Sequence, residues 1–432
     1  MKKNYQTKSA AATTNEIVMP DQVSVAMGQL TETVKEGLLA LAVGAGLQVM
    51  QVMMEESVTA LCGPKGHHDP NRSAVRHGTE DGSATLGGRR VPVRRPRVRS
   101  ADRSAEVAVP AYGLFSSTEV LGQLALERMM AKLSTRRYGA GLEPVGAEVA
   151  ASARSTSRSA VSRRFVAATE SALAELMAED LSELDLVTIM IDGVHFADHL
   201  CVVALGIGID GTKHPLGLVE GDTENATVVK GLLVGLRERG FDVTRPILVV
   251  IDGAKALASA VKAVFDHPVI HRCQLHKIRN AKRYLNDEMG ATVARKMRAA
   301  YANPDALAAE AALEALAASL AKSHPGAAGS LREGLAETLT VARLGVPPTL
   351  ARTLRSTNVI ESMIEICRDH SANVKRWRDG EMAMRWCAAG MVEAKKQFRR
   401  VNGFLHLPAL RAALNTHVGR AVTPSCENEE AA

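Results

Sequence analysis

Two aliphatic runs in this 432-residue chain each end in an aspartate followed by a glycine. One is Val187-Thr188-Ile189-Met190-Ile191-Asp192-Gly193, and the other is Ile247-Leu248-Val249-Val250-Ile251-Asp252-Gly253. Continuous β-branched and aliphatic residues fit strands covered on both faces, and glycine supplies the turn that follows. Both carboxylates then stand at the carboxyl edge of a sheet. Phosphodiester cleavage without a covalent intermediate needs an activated water or hydroxyl, neutralised charge on the phosphate and help for the leaving oxygen. Two Mg²⁺ ions about 3.5 to 4 Å apart supply all three, and hard cations take oxygen ligands. Three acidic residues brought together from distant positions suffice to hold them. An Asp-Gly pair alone commonly makes only a turn; two of them at equivalent strand ends favour the metal reading. The third candidate is Glu361, in Ser356-Thr357-Asn358-Val359-Ile360-Glu361-Ser362. Asn358 and Glu361 also have the spacing of a capping box, and Glu365 lies one turn further along the same helix face. Asp198, Asp210 and Asp222 are weaker candidates because their contexts are turn-like.

The elements that must position these residues follow from periodicity. Residues 186–194, 200–210 and 213–220 predict three strands in an antiparallel meander, given their short connections. Residues 225–239 predict an amphipathic helix, 246–252 a strand, 254–265 a helix and 268–273 a last short strand. Three strands, helix, strand, helix, strand is the order of an RNase H-like fold, an α/β core on a mixed five-stranded sheet. Residues 275–350 are alanine-rich and helical, with breaks at Asn303-Pro304, His324-Pro325-Gly326 and Pro347-Pro348, and read as a helical block inserted after the core's last strand. The helix bearing Glu361 follows, then a basic helical tail containing Lys375-Arg376-Trp377-Arg378 and Lys395-Lys396-Gln397-Phe398-Arg399-Arg400.

Ahead of the core, residues 1–17 are small and polar and are expected to lack fixed structure. One or two helices are expected over 21–61. Residues 65–103 hold ten Lys or Arg against four Asp or Glu, a surplus equal to the whole chain's +6. Arg94, Arg95 and Arg97 lie there among valines and prolines, a pattern of short edge strands or of an extended arm that lays arginines along phosphates. A solvated basic loop is the bland alternative. Cys62, His67, His68 and His77 lack finger-like spacing and are read as non-ligating. Helices are expected at 119–137, 143–151 and 157–179. The last two, joined by a tight polar turn, have the shape of a helix-turn-helix that would present Ser157, Arg158, Arg163 and Arg164 to DNA. An ordinary helical hairpin with an arginine-rich face is its structural alternative.

The domain organisation expected is therefore 1–64 (tail and helices), 65–110 (basic segment), 111–182 (helix-turn-helix-like), 183–284 (first part of the core), 285–350 (helical insertion), 351–415 (second part of the core and basic tail) and 416–432 (a loose end). Six scattered cysteines without a CxxC pair fit reduced thiols in a cytoplasm. An aromatic share of 3% offers no platform for stacking single strands. The apolar run near residues 37–50 is too short to span a bilayer, so no membrane association is expected.

With these residues in hand, the sequence resembles the Mutator-like transposases of bacterial insertion sequences, a family of DDE recombinases. The resemblance rests on Ile191-Asp192-Gly193, Ile251-Asp252-Gly253-Ala254-Lys255-Ala256-Leu257, Ser356-Thr357-Asn358-Val359-Ile360-Glu361-Ser362 and His271-Arg272-Cys273-Gln274-Leu275-His276-Lys277-Ile278-Arg279-Asn280. It implies an RNase H-like core with an all-helical insertion before the glutamate, and it selects Glu361 over Glu365. Asp192, Asp252 and Glu361 would hold two Mg²⁺ ions, with Mn²⁺ able to substitute. Cys273 and His276 would border the site, with Lys255 and Asn358 as further neighbours. The expected activity is cleavage of insertion-sequence ends and transfer of the freed 3′ hydroxyl strand into target DNA. The expected partners are double-stranded DNA, as terminal inverted repeats and target, and further copies of the chain; Arg376 and Arg378 would touch DNA backbone. The expected location is the bacterial cytoplasm, at the nucleoid when bound. A DNA-binding protein that has lost catalysis, or a nuclease of the same fold without strand transfer, are the competing readings.

Overall fold

The computed structural model describes residues 21–67, 69, 71–154, 156–221 and 225–422. The expectations for the N-terminal tail, for His68, for Asp222 and for the last ten residues lie outside them. The chain divides into two compact units, one from Met1–Leu121 with Tyr138–Ala160 and the other from Gly122–Arg137 with Val161–Ala432.

In the first unit a single long helix, α1 (Asp21–Cys62), precedes a three-stranded sheet of β1 (Ala74–Leu86), β2 (Arg89–Ser100) and β3 (Glu106–Val107) in that order. Because α1 is unbroken, its apolar stretch extends over Gly37–Cys62 with a mean hydropathy of 1.7, so by length and composition it reaches what crossing a membrane requires. The run expected to end near Met50 is therefore longer than its sequence pattern suggests. The final turns of α1 are occupied by protein: Val58 and Cys62 pack with Ala74, Val98 and Val109, and Arg76 pairs with Glu55.

The basic segment is neither an extended arm nor a set of short edges. It is a long antiparallel hairpin in register from Leu86↔Arg89 to Ala74↔Ser100, with one bulge between Arg76 and Thr79. Gly87 and Gly88 close it with φ of 54° and 75°, the left-handed pair that a two-residue hairpin turn demands. Pro92 and Pro96 are tolerated because β3 pairs with β2 only at Val98 and Arg99, which leaves the proline positions with one neighbouring strand. Helices α2 (Pro110–Ser116), α3 (Glu119–Met130), α4 (Ala147–Ser152) and α5 (Arg158–Ala178) follow. Helix α3 ends at Met130, short of the expected boundary at Arg137. Helix α4 belongs to the first unit, whereas α5 belongs to the second from Val161 onward.

The second unit is a mixed α/β assembly around a five-stranded sheet. Its strands are β4 (Leu186–Phe196), β5 (His199–Gly208), β6 (Lys213–Glu220), β7 (Ile247–Ile251) and β8 (Pro268–Arg272), in the spatial order β6-β5-β4-β7-β8. The first three form the antiparallel meander expected from their short connections, while β7 and β8 add in parallel. Parallel pairing needs crossovers, and α6 (Ala226–Glu238) and α7 (Lys255–Val264) provide them. Both helices cover one face of the sheet, where Val229, Leu232, Leu236, Leu257 and Val261 pack on Ile189, Ile191, Val249 and Ile251.

The chain then forms a helical block of α8 (Gln274–Lys282), α9 (Asp287–Tyr301), α10 (Ala306–Leu320), α11 (Pro325–Arg332) and α12 (Leu335–Thr338), with its own core from Ile278 to Leu339. After α13 (Thr340–Arg343) and α14 (Pro348–Leu354) come α15 (Asn358–Ser371), α16 (Gly380–Gln397) and α17 (Leu407–Val422). Their residues Ile360, Met363, Ile364, Met391 and Leu410 cover the opposite sheet face, against Met190, Val194, Leu205, Leu248 and Val250. Residues 375–378 are not helical; they lie in the connection between α15 and α16, where Trp377 packs on Phe196 at 4.8 Å. The end expected to be loose from 416 continues as helix to Val422.

Candidate active site

Strand parity decides which way the two aspartates face. Met190 and Val194 belong to the face covered by α15, so Asp192 between them has the same orientation. Leu248 and Val250 belong to that face too, and Asp252 follows at the same interval. The parallel register pairs Met190 with Val250, so two residues on, Asp192 and Asp252 are lateral neighbours. Glu361 comes from the first turn of α15, the helix that packs on this face. The three carboxylates thus arrive from three elements at one edge of the sheet.

Each carboxylate commits one oxygen to the protein. Asp192 Oδ1 accepts from the Gly193 amide at 2.8 Å, and Asp252 Oδ1 accepts from the Ala254 amide at 2.9 Å. Gly253, at φ 112°, makes the turn between strand and helix that the latter bond closes. Glu361 Oε1 accepts from the Thr357 hydroxyl at 2.8 Å. The Asp192 carboxyl is pushed up to about 6, first by burial and then by the neighbouring charges of Asp252 and Glu361, against the opposing pull of the Gly193 amide and His276. The charges of Asp252 and Glu361 thus reach Asp192, though burial is the larger cause of its shift.

A set of hydrogen-bonded groups backs the acids. Cys273 is fully buried at the start of α8, and its amide donates to Ile251 O at 2.8 Å, which ties the end of β7 to α8. Burial raises the Cys273 thiol, but hydrogen bonds with His276 and Thr357 outweigh it and the net shift is downward. His276 shifts upward, chiefly through Cys273 and, against burial, through the carboxylates of Asp192 and Glu361. Its Nε2 stands 3.9 Å from Glu361 Oε1, the same distance as an Arg279 nitrogen. The imidazole therefore has a raised affinity for a proton, while Arg279, 3.3 Å from His276 Nε2, brings a fixed positive charge to Glu361.

Thr357, which no sequence pattern marks, is the hub of this set. Its hydroxyl lies 2.8 Å from Glu361 Oε1, 3.4 Å from Cys273 Sγ and 3.4 Å from His276 Nδ1. One hydroxyl carries one proton, and the nearest acceptor, Glu361, takes it. The Asn358 to Glu361 capping box does not form: Thr357 precedes the first helical residue, Asn358 is already inside the helix, and Glu361 reaches back to Thr357. The signal available in the sequence is the Thr-to-Glu spacing of four, one helical turn. Thr357→Val keeps the shape and removes the hydroxyl. It is expected to lower single-turnover strand cleavage about 10- to 100-fold while leaving the fold in place, measured with a circular-dichroism melt as control. A variant with wild-type cleavage would show that Glu361 needs no such support.

The other expected neighbours divide. Lys255 opens α7, mostly exposed, with Nζ 3.6 Å from Glu333; it lines a cleft of about 490 Å³ with Asp252, His276, Asn280, Arg283 and Glu333. Asn358 lines a different groove at the start of α15. Arg94 pairs with Asp81 at 2.7 Å, Arg95 with Glu80 and with Glu106, and Arg97 with Glu106 at 3.0 Å. Cross-strand partners in the hairpin thus neutralise the three arginines that composition marks for DNA. The Ser157 hydroxyl accepts from the Ala160 amide at 3.3 Å, a local turn contact at the start of α5. Arg158 and Arg163 are exposed and Arg164 is half-buried, while α5 buries Val161, Phe165 and Thr169. Arg376 and Arg378 are both exposed in the α15–α16 connection.

A resident divalent metal can be tested against this arrangement. Among the described residues no group of three or more His, Cys, Asp or Glu side chains is placed to hold a metal ion. The donor set does suit a hard cation: three carboxylates, each with one oxygen held by the protein, and one acid whose raised affinity for a proton a cation would replace.

The chain is similar to known insertion-sequence proteins. A chain described as a probable transposase for an insertion sequence element, from Corynebacterium diphtheriae, is 31% identical over 48% of this chain and 61% of its own length. A transposase for insertion sequence element ISRM5 from Rhizobium meliloti is 26% identical over 84% of this chain and 90% of its own. A transposase for IS6120 from Mycolicibacterium smegmatis is 29% identical over 56% and 76%. An acid-edged α/β sheet with relatives of this kind defines the class as an insertion-sequence transposase. The match to the family model described as Transposase, Mutator family, covers residues 21–401, and the chain belongs to that family.

Proposed function

We propose that this chain is a DDE transposase in which Asp192, Asp252 and Glu361 hold Mg²⁺ and serve both strand cleavage at insertion-sequence ends and transfer of the 3′ end into target DNA. The observation that supports the proposal is that Asp192 within β4, Asp252 just past β7 and the α15 glutamate lie toward one sheet face, with Asp192 shifted upward chiefly by burial and in part by the other two acids. The spatial order β6-β5-β4-β7-β8, with three antiparallel and two parallel strands, supports an RNase H-like core, and the self-contained block from α8 to α12 supports a helical insertion before Glu361.

Bound metal would neutralise phosphate charge and lower the pKa of an attacking water or hydroxyl. The chain's own residues do the rest. Asp192 within β4 and Asp252 just past β7 each have one oxygen held by a backbone amide, which limits how far the other oxygen can swing. Thr357 holds Glu361 in place, and His276, whose affinity for a proton its neighbours raise, stands beside the acids together with Arg279. Pure DNA binding gains nothing from three mutually repelling carboxylates, which argues against a merely binding protein.

A labelled duplex carrying the element's end tests the proposal. Expected are nicked strands, and products joined to target DNA, in Mg²⁺ or Mn²⁺, none after chelation, and none from Asp252→Asn in any metal. Cutting that survives chelation or that substitution would overturn the assignment. Cutting without joining would place the chain among nucleases of the same fold.

A further inference from the structure

A groove of about 790 Å³ lies beside the start of α15, one helical turn from Glu361. Lys213, Arg352, Arg399 and Arg400 line it together with Asn358 and Ser362, and among the described residues no acidic side chain does. None of these four cations makes a salt bridge among the described residues, in contrast to Arg94, Arg95 and Arg97. Asp210, the acid that influences Arg400, is engaged by its own turn, accepting from the Thr212 amide at 2.9 Å and from the Thr212 hydroxyl.

The groove is also rigidly built. The Val401 amide donates to Gly211 O at 3.0 Å, and Thr353 Oγ1 donates to Asn402 O at 2.9 Å, so the segment carrying Arg399 and Arg400 is fastened on both sides. Two glycines permit that approach. A Cβ on Gly211 would fall 2.4 Å from Phe404 Cβ, and one on Gly403 would fall 2.6 Å from the Leu350 backbone nitrogen. The Arg400 guanidinium stacks 5.2 Å from the Phe404 ring centre, and Lys213 Nζ sits 4.6 Å from that of Phe398. Cations held in place on aromatic faces, without counter-charges, await an anionic ligand.

We infer that this groove is a track for the phosphate backbone of duplex DNA leading to Glu361. Its position at the end of the acid cluster rests on the strand-cleavage reading above, but its contacts do not. An extended polyanion fits better than a small anion because four cations, together with the polar side chains of Asn358 and Ser362, line one open groove of about 790 Å³. Asn358 and Ser362, four residues apart, share one helix face and border the track, while Glu361 adjoins them on the next.

The test is the salt dependence of binding by Arg352→Ala/Arg399→Ala/Arg400→Ala, measured in the Asp252→Asn background so that cleavage plays no part. Two labelled duplexes serve as probes, one with the element's end and one of unrelated sequence. Each lost phosphate contact should flatten the slope of log affinity against log salt by about one, and affinity near physiological salt should fall about 10- to 100-fold. The corresponding triple Arg→Lys variant should restore most of the slope, since it keeps the charges. Loss confined to the element-end duplex would assign the groove to element DNA; loss confined to the unrelated duplex would assign it to target DNA. Unchanged slopes on both, or failure of the lysine variant to restore binding, would overturn the groove while leaving the catalytic reading to its own test. If the wild-type protein never cuts but the slopes change, the groove stands and the catalytic reading falls.

Discussion

Asp192→Asn is expected to abolish strand cleavage and, at neutral pH, to make the metal-free protein more stable. The loss of activity should be on the order of a thousandfold or more, roughly 4 kcal/mol of barrier, because one of three cation-binding carboxylates is gone. The gain in stability follows from linkage. The Asp192 carboxyl is raised to about 6 in the folded chain, chiefly by burial and further by Asp252 and Glu361, against about 3.9 when unfolded. A group raised on folding contributes stability that is fully present below about pH 4 and lost as pH rises through 6. At pH 7.5 the ionised side chain therefore costs about 2–3 kcal/mol, because each tenfold change in proton affinity is worth about 1.4 kcal/mol. Asparagine has no charge to bury and its amide oxygen can still accept from Gly193. Urea melts in chelator should show the variant more stable at pH 7.5 and nearly equal to wild type at pH 4. A variant less stable at pH 7.5 would mean that the folded chain does not raise the Asp192 carboxyl in this way.

Gly390→Val should unseat the helix that carries Glu361. Gly390 lies in α16 where α15 crosses closely; a Cβ there would meet Cys367 Cα at 2.8 Å and its Sγ at 2.9 Å. The first of these is backbone and cannot swing aside, so α15 must move. Overpacking of this kind costs about 3 kcal/mol, and valine's helix propensity is too close to glycine's to offset it. Thermal melts should show the loss, and cleavage should fall further than stability alone explains because Glu361 shifts with its helix. Gly390→Ala, which gains about 1 kcal/mol of helix propensity, should lie between the two. Wild-type stability for the valine variant would show that the helices can separate freely at this point.

The clearest expectations from sequence are those that local rules govern. The strands that carry Asp192 and lead to Asp252 are legible because a doubly covered strand must be apolar throughout, and β4 to β8 appear within a few residues of their expected limits. Asp192, however, expected at a strand end, lies inside β4, which pairs with β5 as far as Phe196. The expectations that fail are those whose meaning depends on a partner. Along the chain Arg94, Arg95 and Arg97 look like free charge, yet Glu80, Asp81 and Glu106 face those arginines across strands whose register no composition reveals. Asn358 has the spacing of a helix cap, yet Thr357 is the residue that grips Glu361, because a side chain's partner is set by where the helix begins in space.

The sequence by itself determined the family and the order of the core elements, since these follow from periodicity and from motifs along one dimension, and it put three acids forward as candidates. Only the tertiary structure decided that strand parity turns Asp192 and Asp252 toward the α15 face, that Cys273, His276 and Thr357 support Glu361, and which cations stay unpaired. Charge and hydrogen bonding are settled by distances between residues far apart in the chain: Lys213 and Arg352 become neighbours of Arg399 and Arg400 only when the loop at 398–403 is fastened between β6 and α14.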